Sequence, residues 1–303
     1  MHRPFKSGFV ALIGRPNAGK STLLNALLGA KVSIVSGVPQ TTRYQVRGIL
    51  NLENGQIVFV DTPGIHAFRR ELAAHLNEVA RRSTEGIEGV LYVADLTRRP
   101  GDEEREVMAF VLGTGLPVVT ALNKADLGEG HLERYQEAWR EMVEESGRSD
   151  PVRAAVVLSA KTGKNLGSLL DVLLGMLPPG RPYYEPGAVT DFPLAFRLAD
   201  IVREKLYRQL RRELPHSVAV EVSEIVERGG VLYVAATVYV NRDSQKKIVI
   251  GKNGEMIKKV GTLARRDMQE MVRGKVFLDL RVKVVPDWQE KPRILRELGY
   301  WWT

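Results

Sequence analysis

Eight residues constrain this chain more than any other feature. Gly14-Arg15-Pro16-Asn17-Ala18-Gly19-Lys20-Ser21 satisfies Gly-x-x-x-x-Gly-Lys-[Ser/Thr], directly after the apolar, β-branched run 9–13 and directly before a helical stretch, 22–28. Such a loop works only where a strand delivers it to a helix N-terminus. Its glycines let backbone amides wrap phosphate oxygens, the helix dipole adds positive field, Lys20 reaches the β and γ phosphates, and the Ser21 hydroxyl can ligate Mg²⁺. The bland alternative is a glycine-rich turn, which the strand-to-helix placement argues against. The rest of the first 180 residues supplies the sheet this loop needs. Runs at 57–60, 90–94, 118–122 and 156–158 read as buried strands separated mostly by amphipathic helices, which implies a mainly parallel, doubly wound α/β sheet. Residues 44–50 lead through the Asn54-Gly55 turn into the 57–60 strand, so a hairpin adds an antiparallel edge, and a helix over 166–177 closes the domain.

Three further strings fall at strand ends, where a doubly wound sheet gathers its ligand. Asp61-Thr62-Pro63-Gly64 follows the 57–60 strand; Asp61 can hold a metal through water, and Gly64, lacking a Cβ, can bring its amide to a γ-phosphate. Thr41 and Thr42, in the polar stretch before the edge strand, each offer a second hydroxyl to the metal. Asn123-Lys124-Ala125-Asp126 ends another strand. An ionised Asp126 is acceptor-only, so it can take hydrogen bonds from the N1 and 2-amino groups of guanine, where adenine has no donor; GTP is favoured over ATP. Ser159-Ala160-Lys161 ends the last strand and can add a backbone N–H toward guanine O6.

Beyond residue 178 the pattern changes. Residues 179–193 belong to a proline- and glycine-rich stretch without periodicity, expected as a linker between a nucleotide domain, 1–178, and a second domain, 194–286, followed by a basic, aromatic tail, 287–303. Leucines and Ile201 recur at helical spacing from Leu194 to Leu214, then Val218, Val220 and Val222 alternate, and Gly229-Gly230 precedes a strand over 231–240. A short helix to Gly251, a longer one to Val272 and a last strand through Leu278, Leu280, Val282 and Val284 complete the order α, β, β, α, α, β. Net charge locates a partner. Of the chain's +8, residues 1–180 hold +1 and residues 181–303 hold +7, a field that attracts polyanions: nucleic acid or an anionic membrane surface.

Around Ile250-Gly251-Lys252-Asn253-Gly254, with Ile257 three places on, cluster Lys246, Lys247, Lys252, Lys258 and Lys259. This segment resembles a KH domain, whose Gly-x-x-Gly loop joins two helices and clamps a single-stranded backbone, and the element order matches the type II arrangement. Ile248, Ile250 and Ile257 read first as core of the helix pair, with some surface left for a base-binding groove. The tail mixes Lys291, Arg293 and Arg296 with Ile294, Leu295, Leu298, Tyr300, Trp301 and Trp302, compatible with an interfacial helix, a nucleic-acid contact or packing on the preceding domain.

Composition closes off other classes. A 303-residue chain with 44% hydrophobic and 26% charged residues is neither disordered nor membrane-spanning, and the absence of cysteine removes thiol nucleophiles, disulfides and cysteine-ligated zinc. The N-terminus carries no signal-peptide pattern, so a cytoplasmic location is expected, with peripheral association at the inner face of the cell membrane as the alternative. A monomer is expected.

Taken in order, these strings resemble the five motifs of translation-factor-related GTPases, and with the C-terminal half the whole chain is similar to the Era-like family of bacterial GTPases. The resemblance implies slow GTP hydrolysis served by Lys20, Asn17, Thr42 and Gly64. The nucleotide would be held by residues 14–21 (Gly14, Arg15, Pro16, Asn17, Ala18, Gly19, Lys20, Ser21) with Thr22, Asp61, Gly64, Asn123, Lys124, Asp126, Ser159, Ala160 and Lys161. Mg²⁺ would sit on Ser21, Thr42 and Asp61, and K⁺ on Asn17. The stretch 37–43 looks like the family's first switch, and its second threonine, Thr42, aligns with the metal-binding one. Ile65 stands where Ras-like proteins carry a water-orienting glutamine, and His66 reads as solvated. RNA contacts would fall on Lys246, Lys247, Ile250, Gly251, Lys252, Asn253, Gly254, Ile257, Lys258 and Lys259. The implied target is the 3′ end of small-subunit ribosomal RNA, with a role in 30S assembly. A membrane-associated signalling switch, its basic half on anionic lipid, is the second hypothesis.

Overall fold

The computed structural model describes residues 4–35, 46–61, 86–210 and 217–298. Thr41, Thr42, Tyr44, Gly64, Ile65, His66, Leu214, Tyr300, Trp301 and Trp302 lie outside them, as does the whole 37–43 stretch. The chain divides into two compact units, with the boundary after Asp191.

The first unit is a six-stranded sheet in the order β2-β3-β1-β4-β5-β6, where β1 is Lys6–Ile13, β2 Val46–Leu52, β3 Gly55–Asp61, β4 Ile87–Asp95, β5 Val118–Asn123 and β6 Val152–Val157. β2 pairs antiparallel with β3 at one edge, and every other pairing is parallel. Helices α1 (Lys20–Leu28), α2 (Asp102–Gly113), α3 (Leu132–Ser146) and α4 (Leu166–Met176) alternate with the strands. The period-2 rule is visible in β1: Phe9, Ala11 and Ile13 belong to one buried cluster and Val10 and Leu12 to another. Both faces of the sheet are therefore covered, as the apolar runs require.

The expected linker behaves differently from its composition. Gln56, fully buried in β3, accepts hydrogen bonds from the backbone N–H groups of Tyr183 and Tyr184 at 2.8 and 3.0 Å, and donates to the Tyr184 carbonyl. Ile49 N–H donates to the Val189 carbonyl, Asn51 to that of Ala188, and Arg47 pairs with Asp191. The segment is a strap hydrogen-bonded to β2 and β3. Without periodicity it gave no sign of structure, because its order comes from residues more than a hundred positions away.

The second unit begins at Phe192 and also takes in Ser33–Val35. Helix α5 (Leu194–Gln209) precedes β7 (Ala219–Arg228) and β8 (Val231–Val240); α6 (Asp243–Ile250) and α7 (Glu255–Val272) lead to β9 (Lys275–Val284), the expected α, β, β, α, α, β. β8 runs antiparallel to β7 and parallel to β9. Val234, Ala236 and Val238 of β8 bury against α5 and α7 residues such as Leu198, Val202, Val260 and Ala264. Within this unit Glu204 of α5 accepts the Val35 N–H at 3.2 Å and Arg208 donates to the Val35 carbonyl. The tail packs rather than projects. Trp288 is buried, its indole N–H donates to the Ser217 carbonyl, and with Leu298 it covers Ala219 and Tyr239, flanked by Ile294 and Leu295 of α8 (Pro292–Glu297).

Candidate functional site

The loop 14–19 emerges from β1 and ends at the first turn of α1, as the motif demands. Gly19 holds φ at +99°, and a Cβ there would stand 2.4 Å from Asn123 Nδ2, so only glycine fits. Lys20 is almost wholly buried, and its ammonium donates to the carbonyls of Gly14 and Arg15 at 2.8 and 2.9 Å. Burial pushes this ammonium below its ordinary pKa while Asp61 and Glu104 pull it back up; added phosphate charge would favour the protonated form further. Ser21 Oγ lies 3.3 Å from the Asp61 carboxylate. A hydroxyl and a carboxylate beside a phosphate loop form the hard-oxygen donor set that suits Mg²⁺, an ion that keeps several of its ligands as water and phosphate. Among the described residues no cluster of three or more His, Cys, Asp or Glu offers an all-protein metal cage.

The base end is organised around one amide. Asn123 donates through Nδ2 to the Ala18 carbonyl at 3.0 Å and accepts through Oδ1 from the N–H groups of Lys124 and Ala160. It therefore ties the phosphate loop to both base-side strings. Asp126 accepts from Ser159 Oγ at 2.7 Å, which fixes its carboxylate, while Lys161 is exposed with its ammonium 4.0 Å away. Thus Lys20, Ser21, Asp61, Asn123, Asp126, Ser159 and Ala160 converge at the strand ends; Asn17 sits in the loop with φ at +63°.

Two carboxylates absent from the motif reading, Asp95 and Glu104, hold this site from behind. Asp95, at the end of β4 opposite Asn123 in the register, accepts from the Lys124 ammonium at 2.6 Å and from Thr97. Burial alone would raise its pKa, but these hydrogen bonds hold it below the ordinary value. The signal was available: a carboxylate one place past a predicted strand end. The second support is met by Arg15 of the loop. Its guanidinium pairs with buried Glu104 of α2, Nε standing 2.5 Å from Oε2 as a close ion pair without the alignment of a hydrogen bond, and reaches Glu103 at 3.6 Å. The Arg15 side chain thus anchors the loop to α2.

In the second unit, α6 and α7 meet at Gly251-Lys252-Asn253-Gly254. Gly251 has φ +76°, and a Cβ would stand 2.9 Å from the Met256 backbone nitrogen; Gly254 has φ +78° in open space at the start of α7. Lys247, Lys252, Lys258 and Lys259 are exposed, Lys246 is partly so, and none has an ion-pair partner among the described residues. The core reading holds for Ile257, partly buried against the cluster, and fails for Ile248, which is 50% exposed. A helix turns about 100° per residue, and in α6 it is Val249 that points inward. Ile248 is left as an apolar side chain beside free lysines.

Comparison with known proteins decides the family. Residues 9–124 match the family model described as 50S ribosome-binding GTPase, and residues 213–289 match that of the KH domain. The chain is 44% identical over 301 residues to GTPase Era of Geobacter metallireducens, covering 98% of each, and 44% identical to GTPase Era of Thermotoga maritima, covering 97% of each. The chain belongs to the Era family of GTPases. A crystal structure of Era in complex with MgGDPNP and nucleotides 1506–1542 of 16S ribosomal RNA is 37% identical, with a TM-score of 0.84 over 98% of this chain and 99% of that one. A point variant of Aquifex aeolicus Era bound to GDP·AlF4⁻ is 36% identical, with the same TM-score and the same coverage of both chains. The family match covers both units, and GTP hydrolysis is the activity of this chain.

Proposed function

We propose that this Era family member is a GTP-gated RNA-binding switch that engages small-subunit ribosomal RNA near its 3′ end and acts in 30S subunit assembly. The observation that carries this reading is the full-length likeness to an Era solved with MgGDPNP and 16S nucleotides 1506–1542. The exposed, unpaired lysines around Gly251 and Gly254 support it, since a backbone clamp needs close approach and free cations. Mg²⁺ bound with GTP would take Ser21 and, through water, Asp61, with Thr42 as the switch ligand; it would supply charge neutralisation between the β and γ phosphates. Lys20 then lies ready for the same phosphates, Asp126 for the guanine edge, and Asn17 for a K⁺ ion. With Ile65 in place of a water-orienting glutamine, intrinsic hydrolysis is slow, so binding and release are the biological output. GTP and RNA affinities are linked reciprocally.

The test is crosslinking of the full chain to RNA in cells, with Gly254→Asp as the control. Enrichment at the 3′ end of small-subunit ribosomal RNA, lost in the variant, is the expected result. RNA recovery no greater than the variant's would leave a GTPase whose basic half serves another partner.

A further inference from the structure

In the first unit, lined by none of the motif residues, a cavity of about 340 Å³ opens between α2, α3 and strands β4 to β6. It lies at the small end of the range of ligand-sized pockets. Tyr92 and Trp139 stack in its wall with ring centroids 5.8 Å apart and an interplanar angle of 27°. Thr120, 8% exposed, lines it, and the Thr120 hydroxyl makes no hydrogen bond among the described residues. At the exposed end Glu144 and Arg140 both line it without an ion-pair partner among the described residues, and Asp150, which accepts from the Trp139 indole N–H, adds a second negative charge. Aromatic walls, one buried hydroxyl and two carboxylates against one guanidinium describe a site for a flat ring bearing a basic group.

The same walls belong to the phosphate loop's anchor. Tyr92 donates to Glu104 at 2.6 Å and Tyr135 donates to it at 2.8 Å, and Glu104 holds Arg15. The Tyr135 hydroxyl also stands 3.1 Å from the carbonyl of Asp95, whose carboxylate holds Lys124. One hydroxyl in the cavity wall therefore touches the supports of both the phosphate end and the base end of the nucleotide site.

We infer that this cavity binds small aromatic amines, and that an occupant is felt at the nucleotide through Tyr92, Tyr135 and Glu104. An occupant packed on the two rings fixes Glu104 against Arg15 and so retards release of bound nucleotide. The probe is tryptamine, a ring and a short basic arm, titrated into the ¹⁵N-labelled, GDP-loaded full chain while the Trp139 indole N–H is followed by NMR. A dozen heavy atoms should give saturable binding with a Kd of about 0.1–1 mM. Indole-3-acetate, the same ring with an acid arm, should bind several-fold more weakly, and Glu144→Gln should narrow that gap.

Ala155 lines the cavity at an exposed position, so Ala155→Phe should fill it and abolish binding with the fold kept; Thr120→Val, nearly isosteric, should weaken it. Release of a fluorescent GDP analogue should slow a few-fold at saturating tryptamine, and that response should disappear in Tyr135→Phe. An absent or non-saturating shift, or binding that survives both cavity variants, overturns the site. Equal binding of the two indoles overturns the basic ligand class, and binding without slower GDP release overturns the coupling.

Discussion

In the proposed function the Asp126 carboxylate carries the selectivity for guanine, and Ser159 Oγ holds that carboxylate in place at 2.7 Å. Asp126→Asn replaces an acceptor with a donor facing the guanine N1 and 2-amino donors. Losing hydrogen bonds to a charged group costs about 1.5–3 kcal/mol. GTP affinity should therefore fall by roughly one to two orders of magnitude, with xanthine nucleotides gaining relative to guanine, as competition binding would read. A second residue-scale expectation concerns Asn17. If its side chain holds K⁺ beside the phosphates, hydrolysis is faster in KCl than in NaCl at equal ionic strength, and Asn17→Ala erases the difference; equal rates in the intact chain would remove Asn17 from that role. Both expectations can be drawn from sequence because their chemistry sits in short strings at fixed offsets from a strand end. Glu104 was not. In sequence it is one of three acids in a helix's first turn, an ordinary dipole-favoured placement, and only the fold shows Arg15, Tyr92 and Tyr135 meeting on it.

At the scale of elements, apolar runs and alternation placed the strands of both units and the helix-turn-helix at Gly251-Gly254, since periods of 2 and 3.6 are written locally. The strap was invisible because nothing local orders it. Gln56 is its anchor, and Gln56→Leu leaves two strap N–H groups without their acceptor. A loss of about 1–3 kcal/mol per stranded group is expected, seen as a lower urea midpoint for the first unit. The two glycines of the clamp should separate by mutation. At Gly251 a side chain meets the Met256 backbone, so Gly251→Ala should destabilise the second unit. Gly254→Asp enters open space, so RNA binding should fall well over tenfold at a cost of about 1–2 kcal/mol from the left-handed backbone, as filter binding and denaturation together would reveal.

For the whole molecule, the asymmetry of charge, +7 of the net +8 beyond residue 180, matches a division of labour between a unit that reads a nucleotide and one that attracts a polyanion. The tail belongs to the second of these. Its described apolar residues face Ala219 and Tyr239, which leaves them little to offer a lipid surface, and among the described residues no helix is long and apolar enough to cross a membrane. Trp288→Ala should accordingly cost the second unit about 3–5 kcal/mol in denaturation, while flotation with anionic vesicles stays as it is in the parent chain. The sequence pattern allowed three fates for this tail because a helix with an apolar stripe carries no record of which surface covers it.

The second unit's small share of the N-terminal half, Ser33–Val35, has a consequence for anyone who treats the two units as interchangeable cassettes. A gene cut at the proline-rich segment yields a C-terminal fragment in which Glu204 and Arg208 have lost the Val35 backbone they grip. A grafted fragment of that kind would carry a buried carboxylate shorn of one donor, and its binding behaviour would belong to the damaged piece. In assembly terms the protein is threaded rather than concatenated: the first helix after the proline-rich segment completes a structure begun within the first forty residues.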